Sequence, residues 1–182
     1  MDTKALQNLR ARTDAKIVYA KIHVRLLRDQ GGNGGTDFDK AVQESVLFHL
    51  LGAKDAFLLE LNAYYGCNLA NNEVSPGRLR DALKARGLQS LELAEIYELE
   101  SDAESWLSHA KEMRDHSTHV SGVPRAFHVG GEDDGKVFLL NPKTGAHVPE
   151  HAPDALDSWI AGMGELLERL RTTAIAASRS LG

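Results

Sequence analysis

The sequence contains a single cysteine, Cys67, so no disulfide bond can form within the chain. This absence excludes the small secreted scaffolds that depend on disulfides, and nothing in the chain requires an oxidising compartment. No segment approaches the roughly 18 uninterrupted apolar residues of a membrane-spanning helix. The first residues also lack the apolar stretch of a signal peptide. We therefore expect a cytoplasmic protein without a membrane partner.

Basic residues are also scarce relative to acidic ones. The chain has 21 Lys and Arg against 26 Asp and Glu, for a formal net charge of −5. Proteins that follow long stretches of nucleic acid usually present a basic surface. Any contact with nucleic acid would therefore be local. The length of 182 residues, with 42% hydrophobic and 26% charged residues, predicts one globular domain over residues 1–182.

Apolar residues recur at helical spacing through most of the chain. One helix is expected over residues 3–30, followed by a glycine-rich linker at residues 31–35. This linker lacks the flanking strand and the Lys-Ser/Thr of a phosphate-binding loop. Thr36 or Asp37 is suited to cap a second helix that continues to about Tyr65.

Shorter helices follow the second one. Ser75-Pro76 is typical of a helix start, and a basic helix is expected from there to about residue 86. Further helical segments are expected over residues 90–99, from Ser101 or Asp102 through Arg114, and from about residue 154 to about residue 179.

The pattern changes before the last helix. Residues 125–129 and 136–140 resemble two short strands, and the glycine-rich residues 130–135 would form their turn. The predicted fold is all-α, an antiparallel helical bundle of about five to six helices with a small β-hairpin inserted before the last helix.

The segment Arg114-Asp115-His116-Ser117-Thr118-His119 has the clearest chemical potential. Positions five apart on a straight helix differ by about 140° in direction, so Arg114 and His119 would not share a face. Because Ser121, Gly122 and Pro124 follow, we expect the helix to loosen near residues 117 and 118. His119 would then turn towards Arg114.

Such a pair suits cleavage of RNA. A guanidinium binds phosphate through two parallel hydrogen bonds and stays charged at any working pH. An imidazole can exchange a proton near neutrality. Attack of a 2′-hydroxyl on the adjacent phosphate needs both a cation that binds the phosphate and a group that exchanges a proton. The reaction requires no metal in principle.

The six residues also resemble a family motif. Arg-x4-His, with Asn, Asp or His directly after the Arg, is the signature of the HEPN superfamily, and the chain reads Arg114-Asp115 to His119. The resemblance implies a metal-independent endoribonuclease without a cofactor, active as a homodimer with a shared interface site. It also implies that Arg114 stabilises the phosphate, that His119 is the general acid or base, and that Asp115 orients them. His116 and Thr118 could line the cleft and contact substrate.

Other interpretations stay open. The family includes inactive members, so the resemblance also allows a binding or regulatory module of a phage-defence or toxin–antitoxin system, with an antitoxin as possible partner. Arg114 and His119 could equally stabilise a helix C-terminus, and His116 with His119 could bind a metal, although we expect none.

Two further groups of residues allow alternatives. His49 and Glu60 interrupt the apolar run of the second helix, and either could reach the site. The nearby lysines favour a solvated face instead. The basic residues Arg78, Arg80, Lys84 and Arg86 could contact RNA, but such a run is more often a solvated helix face.

Overall fold

The computed structural model describes residues 3–29 and 36–180, and this part of the chain contains six helices and a three-stranded sheet. The helices are α1 (Thr3–Asp29), α2 (Asp37–Tyr64), α3 (Pro76–Ala85), α4 (Leu91–Ser101), α5 (Trp106–His119) and α6 (Ala152–Ser180). The predicted all-α class with a small β-insertion before the last helix is confirmed. The expected linker at residues 31–35 lies outside the described residues.

Side-chain caps fix the starts of the helices. Thr36 and Asp39 form a reciprocal capping box at the start of α2, with the Thr36 hydroxyl accepting from the Asp39 backbone N–H. Ser75 caps α3 with Pro76 directly behind it, as the sequence predicts. Gly66 follows α2 with φ +59°, a left-handed conformation that glycine adopts without strain.

The start of α5 differs from the expectation. Ser101 still belongs to α4, and Ser105 is the cap of α5, because its hydroxyl accepts from the Ser108 backbone N–H. The same hydroxyl donates to the carbonyl of Leu99. The prediction of a restart at Ser101 or Asp102 is therefore wrong by a few residues.

The β-insertion is larger than the predicted hairpin. Strands β1 (Arg125–Phe127), β2 (Val137–Leu140) and β3 (His147–His151) form an antiparallel sheet in the order β1-β2-β3. The sequence did not predict β3, because Pro149 argues against a regular strand. The proline is tolerated because β3 lies at an edge of the sheet.

Helix α2 is the centre of the bundle and packs against α1, α5 and α6. Its polar residues do not form a solvated face, so that interpretation is wrong for two of them. Glu60 is fully buried and accepts two hydrogen bonds from Arg171 of α6. Lys54 is also buried and pairs with Glu100 of α4.

In the part of the chain that the structure describes, none of the helices is both long enough and apolar enough to cross a membrane.

Candidate functional site

A pocket of about 440 Å³ lies between α2 and α5 at the segment that the sequence singles out. Both helices contribute polar side chains to it, and an exposed aromatic ring stands at its edge. It is lined by Ala41, Glu44, Ser45, Phe48 and His49 of α2 and by Arg114, Ser117 and Thr118 of α5.

Helix α5 stays regular through His119. The backbone N–H of Val120 still donates to the carbonyl of His116, and the Thr118 hydroxyl donates to the carbonyl of Arg114 at 2.8 Å. The expected loosening near residues 117 and 118 is therefore wrong. Arg114 and His119 point about 140° apart, and the exposed His119 does not line the pocket.

Of the other predicted site residues, some lie at the pocket and some lie away from it. Thr118 lines the pocket with Arg114, one turn away on the same helix face. Asp115 is adjacent, with Oδ1 3.0 Å from Arg114 Nε. His116 faces away, and its Nε2 lies 3.1 Å from the Ser121 hydroxyl. The structure thus brings Arg114, Asp115 and Thr118 together and separates His116 and His119 from them.

The guanidinium of Arg114 is incompletely satisfied. Its side chain is 33% exposed, so it can still reach a ligand in the pocket. Its Nε is buried and makes no hydrogen bond with any residue that the structure describes. Asp115 lies within ion-pairing distance, but its angle to the N–H does not meet hydrogen-bond geometry. Asp115 therefore offsets the charge of Arg114 without satisfying this donor.

His49 lines the pocket, an alternative that the sequence left open beside the favoured solvated face. Three rings surround its imidazole, with centroids of Tyr19 at 5.4 Å, His23 at 5.2 Å and Phe48 at 5.4 Å. Burial, together with the positive charges of Lys16 and His23, lowers the pKa of His49 below 6.5. Its Nδ1 is buried and makes no hydrogen bond within residues 3–29 and 36–180.

The signal for His49 was present in the sequence as a polar residue within an apolar run. The lysines beside it favoured a solvated face, and no rule of spacing connects α2 with α5. The pocket forms only because the chain folds residue 49 against residue 114.

An aromatic surface continues from the pocket onto α1. Phe48 is 60% exposed and Tyr19 is 47% exposed, and each contacts the ring of His49. The Lys16 ammonium lies 4.9 Å from the centre of the Phe48 ring, within the range of a cation–π contact. Phe48 and the half-buried His49 therefore line the pocket, and Lys16 and Tyr19 contact these two rings from α1 without lining the pocket themselves.

The remaining histidines do not gather at this site. His109 lies beside Asn141 and Trp159, and His128 packs on Phe138 of the sheet. Among residues 3–29 and 36–180, no cluster of three or more His, Cys, Asp or Glu side chains is arranged to hold a metal ion.

The basic residues in and directly after α3 make different contacts. Arg86 donates to the backbone carbonyls of Tyr65 and Gly66 and so fixes the end of α2. Arg80 and Lys84 border a separate apolar pocket, whereas Arg78 does not. The four residues therefore do not form one continuous ridge.

The fold and the site define a helical-bundle protein with an arginine–imidazole pocket between two of its helices. Residues 7–177 match the Family of unknown function (DUF6586), and the chain belongs to that family. The resemblance to the HEPN superfamily is wrong, since the matching family is a different one. A motif of two fixed residues and one restricted residue recurs by chance in helical proteins. Searches of curated proteins and of solved structures found no match for this chain.

Proposed function

We propose that this protein binds single-stranded RNA through a backbone phosphate held in the pocket between α2 and α5. One observation carries the proposal: Arg114 Nε and His49 Nδ1 are both buried and lack hydrogen-bond partners within the described chain, and both residues border the same pocket. Most buried polar atoms have a partner, so an unsatisfied pair beside a pocket requires an explanation. A bound anion would contribute acceptors for Arg114 and would favour the protonated form of His49.

The class of ligand follows from the surroundings of the two residues. Arginine binds phosphate with directed hydrogen bonds. Exposed aromatic rings stack on unpaired bases, at about 1–3 kcal/mol per base, and Phe48 and Tyr19 offer such rings next to His49. A phosphate site beside two stacking surfaces fits a single strand better than a duplex, whose bases are covered. The net charge of −5 limits the contact to this local surface.

The test is fluorescence anisotropy with a short labelled single-stranded RNA of mixed sequence, in EDTA and at low salt. Arg114→Ala should weaken binding about tenfold to a hundredfold, because a hydrogen bond to a charged group contributes roughly 1.5–3 kcal/mol. The slope of log affinity against log salt should also fall by about 0.7, the value for one phosphate contact on a single strand.

The matched control is Arg78→Ala on α3, which removes the same charge at an exposed position outside the pocket. This variant should bind RNA like the wild type. Equal weakening by both variants would show that net charge alone determines binding and would overturn the proposal. Single-stranded DNA and duplex RNA of the same sequence establish whether the site prefers RNA and a single strand.

Cleavage of the bound RNA is a second candidate, favoured by the lowered pKa of His49, which keeps its imidazole neutral near pH 7. The neutral ring would accept the 2′-hydroxyl proton as the 2′-oxygen attacks phosphorus. The bond from phosphorus to the 5′-oxygen would break, and the leaving oxygen would take a proton from water. Arg114 would stabilise the charge on the phosphorane, and the products would be a 2′,3′-cyclic phosphate and a 5′-hydroxyl.

Incubation with RNA in EDTA distinguishes cleavage from binding alone. For cleavage we expect cyclic-phosphate ends from the wild type and a loss of at least a hundredfold in rate for His49→Ala. His119→Ala should remain active, since His119 lies off the pocket. Intact RNA with wild-type binding identifies a binding module. Loss of activity in His119→Ala instead would restore the role first predicted for that residue.

Two expectations complete the proposal. The homodimer stays a prediction, and the exposed apolar residues Val18, Ile22 and Leu26 on one side of α1 offer a surface for a second copy. Light scattering on the wild type and on Ile22→Glu measures the oligomeric state. If Ile22→Glu is still a dimer, the dimer does not use the α1 surface. A cytoplasmic location, where RNA is accessible, is likewise proposed and is tested by cell fractionation.

A further inference from the structure

A second pocket, larger and more apolar than the first, lies between the short helices α3 and α4 and has a volume of about 740 Å³. Small-molecule sites in proteins have volumes of about 300–1,000 Å³ and combine apolar walls with a few polar groups. Leu83, Leu88 and Leu93 supply apolar wall, and Tyr97 stands at the edge with 68% of its surface exposed.

The charges around this pocket have one sign. Arg80 and Lys84 are both lining residues, and none of the lining residues that the structure describes is acidic. The two cations are four residues apart on one helix, so both can reach the same group. Neither makes an ion pair or a side-chain hydrogen bond with a residue in the described ranges, whereas Arg86, just beyond them, is held by backbone carbonyls.

None of the glutamates of α4 lines the pocket, and two of them have partners elsewhere. Glu92 is buried and accepts hydrogen bonds from Tyr65 and Ser90. Glu95 pairs with Arg169 of α6. The wall of the pocket that α4 provides is therefore apolar, and the positive charge of α3 is left for a ligand.

The pocket also has space at its walls. A methyl group added at Gly77 would meet no atom within 4 Å, and Ala94 is an exposed small residue on the α4 wall. Helices of 10 and 11 residues, each about 15 Å long, bound the site. The volume and the apolar lining fit an acyl chain.

We propose that the α3–α4 pocket binds an anionic amphiphile, an acyl or alkyl chain that ends in a carboxylate or phosphate group. The chain lies against Leu83, Leu88 and Leu93, and the head group binds Arg80 and Lys84. This site is separate from the RNA pocket and does not depend on the function proposed for it.

The test is isothermal titration calorimetry of the full-length protein with dodecanoate and dodecyl phosphate, which differ in head group. Dodecanol and dodecyltrimethylammonium supply the same chain with a neutral and a cationic head. We expect both anionic ligands to bind, and the neutral and cationic ones to bind at least tenfold more weakly. Arg80→Gln with Lys84→Gln should weaken dodecanoate binding at least tenfold and leave dodecanol unchanged.

A second variant tests the location of the chain. Ala94→Glu places a carboxylate on the α4 wall, and it should abolish dodecanoate binding. The matched control is Ala85→Glu, an exposed position on α3 that does not line the pocket, and it should bind like the wild type. Circular dichroism establishes that both variants fold.

Three outcomes would overturn the proposal: equal affinity for anionic and cationic amphiphiles, unchanged binding in Ala94→Glu, or no binding of either anionic ligand by the wild type.

Discussion

Two arginines on different helices lie beside helix α2, and they differ in how completely their guanidinium groups are paired. Arg171 of α6 is 3% exposed and contacts three carboxylates: Glu60 at 2.8 Å, Asp14 at 2.8 Å and Glu168 at 2.6 Å. Arg114 of α5 is 33% exposed, has the single neighbouring carboxylate of Asp115, and retains a buried Nε without a hydrogen bond within the described chain.

The pKa of Arg171 reflects that environment. Burial alone would lower it, but the hydrogen bonds and charge of Glu60, with those of Asp14 and Glu168, raise it above its ordinary value. All its contacts are internal, so Arg171 connects α1, α2 and α6. Arg114 keeps hydrogen-bonding capacity for a ligand. The satisfied Arg171 therefore connects parts of the fold, whereas the unsatisfied Nε of Arg114 beside a pocket is the basis of the site that we propose.

The largest loss of stability should come from breaking the buried ion pair between Glu60 and Arg171. Glu60→Ala leaves the buried Arg171 without its bidentate partner, and a buried pair broken on one side costs about 3–5 kcal/mol. The free energy of unfolding in urea measures this loss. Glu165→Ala, at an exposed position on the same helix as Arg171, is the control and should stay within about 0.5 kcal/mol of the wild type.

The double variant Glu60→Leu with Arg171→Met sharpens this prediction. Because an apolar pair of similar volume removes both charges, most of the stability should return. If Glu60→Ala costs no more than Glu165→Ala, the buried pair does not stabilise the fold and the comparison between the two arginines fails.

A second buried contact, between Tyr65 and Glu92, should have an intermediate effect on stability. The Tyr65 hydroxyl donates to the fully buried Glu92 at 2.8 Å. Tyr65→Phe removes the donor and leaves the carboxylate with the Ser90 hydroxyl alone, so we expect a loss of about 1–3 kcal/mol in urea unfolding at pH 7. Tyr97→Phe, at an exposed tyrosine, should change stability little.

The same tyrosine predicts a dependence on pH. Burial, followed by the hydrogen bond and charge of Glu92, raises the pKa of Tyr65 from 10.0 to about 12. A raised folded-state pKa contributes stability that is present below pH 10 and is lost as the pH rises towards 12. Stability should therefore decline more steeply over this window in the wild type than in Tyr65→Phe. Parallel curves would show that Tyr65 does not titrate in this environment.

RNA binding by the pocket proposed between α2 and α5 should depend on pH in the acidic range instead. The lowered pKa of His49 means that protonation is disfavoured in the free protein by burial, Lys16 and His23, while a bound phosphate favours it. RNA binding should tighten roughly threefold to tenfold from pH 7.5 to 5.5, because binding and proton uptake are linked. Anisotropy with His49→Gln should show a flatter profile, and an unchanged profile would remove His49 from the site.

The smallest change in stability should be that caused by Arg114→Ala. Arg114→Ala removes a partly exposed side chain with a single ion pair, so the free energy of unfolding should change by no more than about 0.5 kcal/mol while RNA binding falls. A loss as large as that of Glu60→Ala would place Arg114 among the structural residues and would contradict the comparison.

Local chemistry made much of the fold predictable. Caps such as Thr36 and Ser75 and the end of α2 near Tyr65 are determined by residues adjacent in sequence, and the structure has them where the sequence predicts. Strand β3 was not predicted, because its pairing with β2 depends on tertiary contacts and because Pro149 is unusual in a regular strand.

The site was only partly predictable for the same reason. Arg114 and Thr118 line the pocket, and their shared helix face follows from spacing. The regular end of α5 left His119 outside, since Ser121, Gly122 and Pro124 end the helix after residue 119 and not before it. The contact between α5 and His49 arises from tertiary packing, which no local pattern contains.

The most direct test of the central claim is a histidine NMR titration of the protein with and without single-stranded RNA. We expect the pKa of His49 to lie below 6.5 in the free protein, RNA to raise this pKa, and the ring signals of His119 to be unchanged by RNA. A response of His119 to RNA with none from His49 would contradict the proposed site and move it to the opposite side of α5.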